Sequence, residues 1–154
     1  MELLGMKTSI KMGLALGLLL ATASSAFSAP APALSGLRVK VLSGTFGGSW
    51  YYPPVNTVAI GPGYAGGTLQ IAVVETGYGG NRIGWINGTQ KKPDSVKLAC
   101  LVRGEMTDNC PRGATGAGWI AYFNANYLTS VNFRYQSTSA NFPYKTLSTS
   151  LNIK

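Results

Sequence analysis

Residues 37–41 read Leu37-Arg38-Val39-Lys40-Val41, apolar and basic side chains in strict alternation. Successive side chains of a strand point to opposite faces, so a period of two gives one face to a core and leaves the other wet. The same period extends outward along the chain. Leu69, Ile71 and Val73 repeat it after a glycine-rich stretch, and Val96, Leu98, Cys100 and Val102 share a face opposite Lys97 and Arg103. Val131, Phe133 and Tyr135 oppose Asn132, Arg134 and Gln136, while Leu147, Leu151 and Ile153 oppose Ser148, Ser150, Asn152 and Lys154. Trp119-Ile120-Ala121-Tyr122-Phe123 has no polar side, which predicts a strand covered on both faces. Ile83 and Trp85 lead into Asn87-Gly88, a pair suited to the two positive φ angles of a type I′ hairpin.

No window outside the N-terminal region carries a 3.6-residue apolar repeat. About seven strands divided by Gly, Pro and Asn therefore predict an all-β chain, a single-domain antiparallel β-sandwich or barrel. Thr45–Gly67 reads as a long loop rich in Gly, Pro and Tyr, holding a short strand at Val58–Ile60.

The N-terminus has a different character. Lys7 and Lys11 precede an apolar run from Gly13 to Ala23 that is too short to span a bilayer, and small residues follow. That order predicts a signal peptide over residues 1–28, cleaved after Ser28, and a secreted product, extracellular or periplasmic. Residues 29–36 then form an extended arm, and 37–154 a single β-domain without a transmembrane segment. Cys100 and Cys110 are the only cysteines, and an even count in an exported chain predicts one structural disulfide.

Composition removes several chemistries. The 154-residue chain has no histidine, which excludes Ser-His-Asp and Cys-His catalysis and imidazole ligation of zinc or haem. Five carboxylates make an acidic cation cage difficult, so neither metal nor cofactor is expected. Gly61-Pro62-Gly63-Tyr64-Ala65-Gly66 matches a dinucleotide fingerprint only literally, because a strand rather than a helix follows it. Glu75 shares parity with Leu69, Ile71 and Val73 and is expected to point inward. A carboxylate-dependent glycan hydrolase would need two of Glu75, Asp94, Glu105 and Asp108; an inward Glu75 is the candidate acid, and Arg82 offers it an ion-pair role instead.

The net charge of +8 points towards anionic partners. Lys91, Lys92, Arg103 and Arg112 are candidates for a basic patch near Trp85. Trp50, Tyr51 and Tyr52, adjacent on the long loop, are candidates for stacking on sugar rings or bases.

Tyr78-Gly79-Gly80-Asn81, the Trp85-Ile86-Asn87-Gly88 turn, the two cysteines, Asn141-Phe142-Pro143-Tyr144 and the ending Asn152-Ile153-Lys154 resemble small secreted bacterial YolA-like proteins, a family of unknown function. The resemblance implies bacterial export and one domain, and supplies no catalytic residue. The expectation from the residues is a non-enzymatic secreted module that binds an anionic polysaccharide or other envelope polymer. Nucleic acid is a possible but unspecific partner. The alternative is an antibacterial effector on anionic envelopes, which needs an apolar wedge in addition to the charge.

Overall fold

The computed structural model describes residues 31–154, so the expected signal segment lies outside the described residues. Eleven strands form: β1 (Gly36–Ser43), β2 (Trp50–Tyr51), β3 (Ala59–Ile60), β4 (Leu69–Thr76), β5 (Gly79–Ile86), β6 (Thr89–Lys91), β7 (Ser95–Val102), β8 (Glu105–Thr107), β9 (Gly116–Asn124), β10 (Val131–Ser139) and β11 (Thr146–Ile153). The count is eleven and not seven. Seven strands are eight or nine residues long, and these are the ones that periodicity registers. The other four have two or three residues, too few to display a period.

The strands divide into a six-stranded sheet, β2-β1-β4-β9-β7-β8, and a five-stranded sheet, β3-β11-β10-β5-β6. All four short strands sit at sheet edges, so each covers only two or three positions of the long strand beside it. The shared core draws Val39, Val41, Leu69, Ile71, Val73, Ala121 and Phe123 from the first sheet. Val131, Phe133, Tyr135, Leu151 and Ile153 come from the second. Phe123 packs edge-on against Phe133 and Tyr135, with centroids 5.2 and 5.8 Å away. Asn87 and Gly88 adopt φ of 51° and 81°, as the type I′ reading of the β5–β6 turn requires. Cys100 and Cys110 form the disulfide, which ties the end of the β7–β8 hairpin.

Two sequence expectations need correction. The basic side of β1 is not a wet face: Lys40 is 5% exposed. A second apolar cluster, Ala72, Val74, Ala99, Ile120 and Tyr122, lies on that side of the six-stranded sheet, with Trp50 and Met106 packed against it. The sheet curls, bringing Tyr52 beside β2 and the Gly104–Met106 end of β8 to opposite walls of one groove. This curl also explains why Trp119–Phe123 is apolar on both sides. In β7, Val96 and Leu98 are 38% and 42% exposed rather than core, whereas Ala99 and Cys100 are buried. The register shifts between Ala99 and Cys100. The extra residue there is Ala117 of β9, so Val96 and Leu98 keep the core-side parity expected of them; they are exposed because β7 packs mainly on β9 and β8 and lies beyond the cover of the five-stranded sheet.

Candidate functional site

β1 presents Arg38 and Lys40 to the inside of the curl, because their neighbours Val39 and Val41 are committed to the shared core. The Lys40 ammonium lies 4.6 Å from the Trp50 ring centroid, 5.7 Å from Tyr52 and 6.0 Å from Tyr122. Trp50 pairs with Leu42 across β1–β2, which places its indole on the same side as Lys40. Tyr122 reaches that side because it stands opposite Ala72 in the β4–β9 ladder. The arrangement is an aromatic cage occupied by the protein's own lysine. Cation–π attraction from a desolvated ammonium amounts to about 2 kcal/mol. Among the described residues no hydrogen-bond acceptor and no ion-pair carboxylate is within bonding distance of Lys40. Burial lowers its pKa below the ordinary lysine value, opposed by the more distant Asp108 carboxylate.

Asp108 holds the floor of the site. Its Oδ2 accepts from the Tyr122 hydroxyl at 2.9 Å and from the Lys97 ammonium at 3.0 Å. Burial disfavours the carboxylate, but the Lys97 and Tyr122 hydrogen bonds and the Lys97 charge outweigh it and leave the Asp108 pKa below its usual value. Tyr122 is pushed the other way, by burial and then by Asp108. Arg38 stands at the mouth, its guanidinium 4.9 Å from the Tyr52 ring centroid and without a carboxylate partner among the described residues. Burial and the Glu105 carboxylate raise the Tyr52 pKa, and Arg38 opposes them. The groove over these groups has a volume of about 420 Å³, with Arg38, Tyr52, Val74, Glu105 and Met106 among its walls.

The eight residues singled out in the sequence do not share one surface. Trp50 and Tyr52 belong to the cage and the groove, and Arg103 adjoins it through Gly104. Tyr51 points to the other side of β2, where its ring is 5.4 Å from Tyr64, itself stacked on Phe46. Trp85 lies on the outer face of the five-stranded sheet under the Arg134 guanidinium, at 5.3 Å. Lys91 is engaged by Asp94 at 3.2 Å and by the Asn124 carbonyl at 2.8 Å, with Lys92 exposed beside it. Arg112 is exposed beyond Cys110. The basic patch expected near Trp85 does not form: Lys91 stands opposite Gly84 and projects to the other face, Arg103 and Arg112 sit on the other sheet's hairpin side, and the cation over Trp85 is Arg134. Arg38, Lys40, Lys97 and Tyr122 were missed, because alternation labels the polar side of a strand as solvent, and Asp108 stood out only as a carboxylate. The signal was available in Trp119–Phe123: a central strand apolar on both faces requires a cover over the polar side of its neighbours.

Glu75 is fully buried and points inward, as its parity demands. Arg82 donates to its Oε2 from Nε at 3.1 Å and Nη2 at 2.7 Å, and the Tyr135 hydroxyl donates to Oε1 at 2.7 Å. Gly79 packs so closely on the carboxylate and on Ser137 that a Cβ there has no room. Each of the other described carboxylates lies elsewhere: Asp94 with Lys91 and the Asn124 amide, Asp108 with Lys97, and Glu105 near Tyr52. No cluster of metal-ligating side chains occurs among the described residues.

The family model for a domain of unknown function (DUF4879) matches residues 29–153, and the chain belongs to that family. No curated protein and no solved structure is similar enough to match it.

Proposed function

We propose that this member of a family without an assigned role is a secreted, non-enzymatic binding protein whose curled sheet takes an anionic polymer of the cell envelope or extracellular space. The carrying observation is Lys40, a residue 5% exposed whose ammonium is caged by three rings and has no ion-pair partner among the described residues. A partly desolvated cation without a counter-ion has given up some of its hydration, and an incoming phosphate, sulfate or carboxylate offsets that cost. Arg38 supplies a second unpaired cation at the mouth, and Tyr52 a ring for a sugar or base to lie on. The resemblance to secreted YolA-like proteins supports the location.

The test is affinity for heparin, teichoic acid and single-stranded DNA at two salt concentrations, with melting temperature recorded for every variant. Arg38→Ala is expected to weaken binding and flatten its salt dependence, since each lost contact releases fewer counterions. Lys40→Met is expected to do the same while keeping the cage filled. Tyr52→Leu lowers affinity with little change in slope. Lys92→Ala and Arg112→Ala, away from the groove, have smaller effects. Undetectable binding to all three polymers at low salt, or affinity unchanged in Arg38→Ala and Lys40→Met, refutes the reading.

A second reading, the antibacterial effector, is favoured by one observation. Phe142 and Tyr144, on the β10–β11 turn, are 81% and 70% exposed and provide an apolar tip. Dye leakage from anionic vesicles that disappears in Phe142→Ser would support it, and intact vesicles would remove it.

A further inference from the structure

A second cleft, which shares only Arg38 with the groove over Lys40, carries an inference that goes beyond polymer binding. β11 is paired along its whole length to β10, but β3 covers its other side only at Asn152 and Ile153. There the Asn152 amide donates to the Val58 carbonyl and the Lys154 amide to the Ile60 carbonyl. Backbone groups alternate sides along a strand, so the N–H and C=O of Ser148 and Ser150 point the same way, away from β10. No strand meets them among the described residues. β1 has the matching feature. β2 pairs with it only at Val41 and Leu42, and Gly44 donates to Thr68 of the β4 side, so the backbone groups of Leu37 and Val39 face outward without a strand partner. Both free edges open into one cleft of about 470 Å³, walled on its third side by residues 53–58.

Unpaired strand edges bind extended polypeptide by adding a strand, with main-chain hydrogen bonds at the sheet's own repeat. We infer that the cleft between β1 and β11 is a strand-addition site for an extended peptide segment bearing an acidic side chain. The Leu147–Leu151 edge offers about four to five residues at roughly 3.3 Å each. Arg38 is the one charged residue lining the cleft and no carboxylate does, which favours an acidic side chain in the bound segment.

The probe is a capped octapeptide of alternating Val and Thr with one central Glu, and the readout is amide exchange and chemical shift in the full chain. The expected result is protection of the Ser148 and Ser150 amides, with shifts confined to 37–39, 53–58 and 147–151. The same peptide N-methylated at its central residues cannot donate or pair, and is expected to leave both amides unprotected. Ser150→Pro removes an outward donor without breaking a β10 bond and should abolish binding, while Ser150→Thr keeps the donor and should bind normally. Equal binding of the N-methylated peptide, or shifts that miss these segments, overturns the inference, as does protection by the protein's own dimerisation without peptide. The N-methylated control keeps the test decisive even if Ser150→Pro fails to fold. Lys40→Met leaves this binding intact, so loss of the polymer reading and loss of this one are distinguishable.

Discussion

Glu75→Gln separates a catalytic acid from a structural anion more sharply than any activity screen. The carboxylate is wholly buried, and receives two hydrogen bonds from a guanidinium and one from a phenol. Gln keeps the volume, removes the charge opposite Arg82, and leaves one oxygen for donors that now occupy two. Removing one partner of a buried ion pair typically costs 3–5 kcal/mol, because the other charge stays desolvated. The Arg82 side chain is 18% exposed and also donates to the Gly79 carbonyl at 2.7 Å, so water and that carbonyl relieve part of the loss. The low end applies, about 3 kcal/mol, corresponding to roughly 10 °C in melting temperature for a domain of this size. Urea unfolding monitored by tryptophan fluorescence measures it directly. Tyr135→Phe alone should cost about 1.5–3 kcal/mol as a hydrogen bond to a charged group. The double variant should cost less than the sum, since both changes act on one carboxylate. A Glu75→Gln protein as stable as the parent, or more so, would refute the structural reading. It would return Glu75 to the list of catalytic candidates, because active-site charges are commonly held at the expense of stability.

Alkaline titration offers a second check: burial, and then Glu75, raise the Tyr135 pKa above 10.0. Below about pH 10 both folded and unfolded states hold the phenol proton; above it the unfolded chain loses it first, so stability falls as pH rises, less steeply in Tyr135→Phe. Cys100→Ser with Cys110→Ser opens a ten-residue separation and should cost about 2–3 kcal/mol, and thiol titration of the native protein without reductant should find no free thiol. Intact mass of the protein recovered from culture supernatant should begin at Ala29; a full-length product there would sink the export reading.

The long strands were legible in the sequence because each is long enough to commit one parity to the core. Val131, Phe133 and Tyr135 are buried while Asn132 and Arg134 are exposed, and the Asn87-Gly88 turn adopts the dihedrals its residue types demand. Alternation failed where a third layer intervened. Lys40 has the same local sequence signature as any solvated strand lysine. What buries it is the approach of β2 and β8, segments of two and three residues brought over the sheet by its curl. β7 failed for a different reason: its alternation is intact at Val96 and Leu98, but the opposite sheet does not extend over them, which no local pattern announces. The candidate site was half legible: Trp50 and Tyr52 could be picked out as adjacent loop aromatics, but their partner cations lie on β1 and not in the basic run at Lys91-Lys92. Proximity in sequence suggested a patch that pairing across sheets then dispersed.

The order of the strands also has a temporal side. β4 finds its partner β9 only after some forty intervening residues, β5 waits similarly for β10, and β3 joins a β11 whose Asn152 is 94 residues from Val58. Contacts of such separation must close large loops before they are rewarded, which slows folding. Two of the five strands of the second sheet, including its central β10, lie in the last twenty-four residues. A chain emerging from its N-terminus thus holds every strand of the six-stranded sheet by Asn124 but has nothing to cover its core face until β10 and β11 follow, so the core closes only when nearly all of the chain is present.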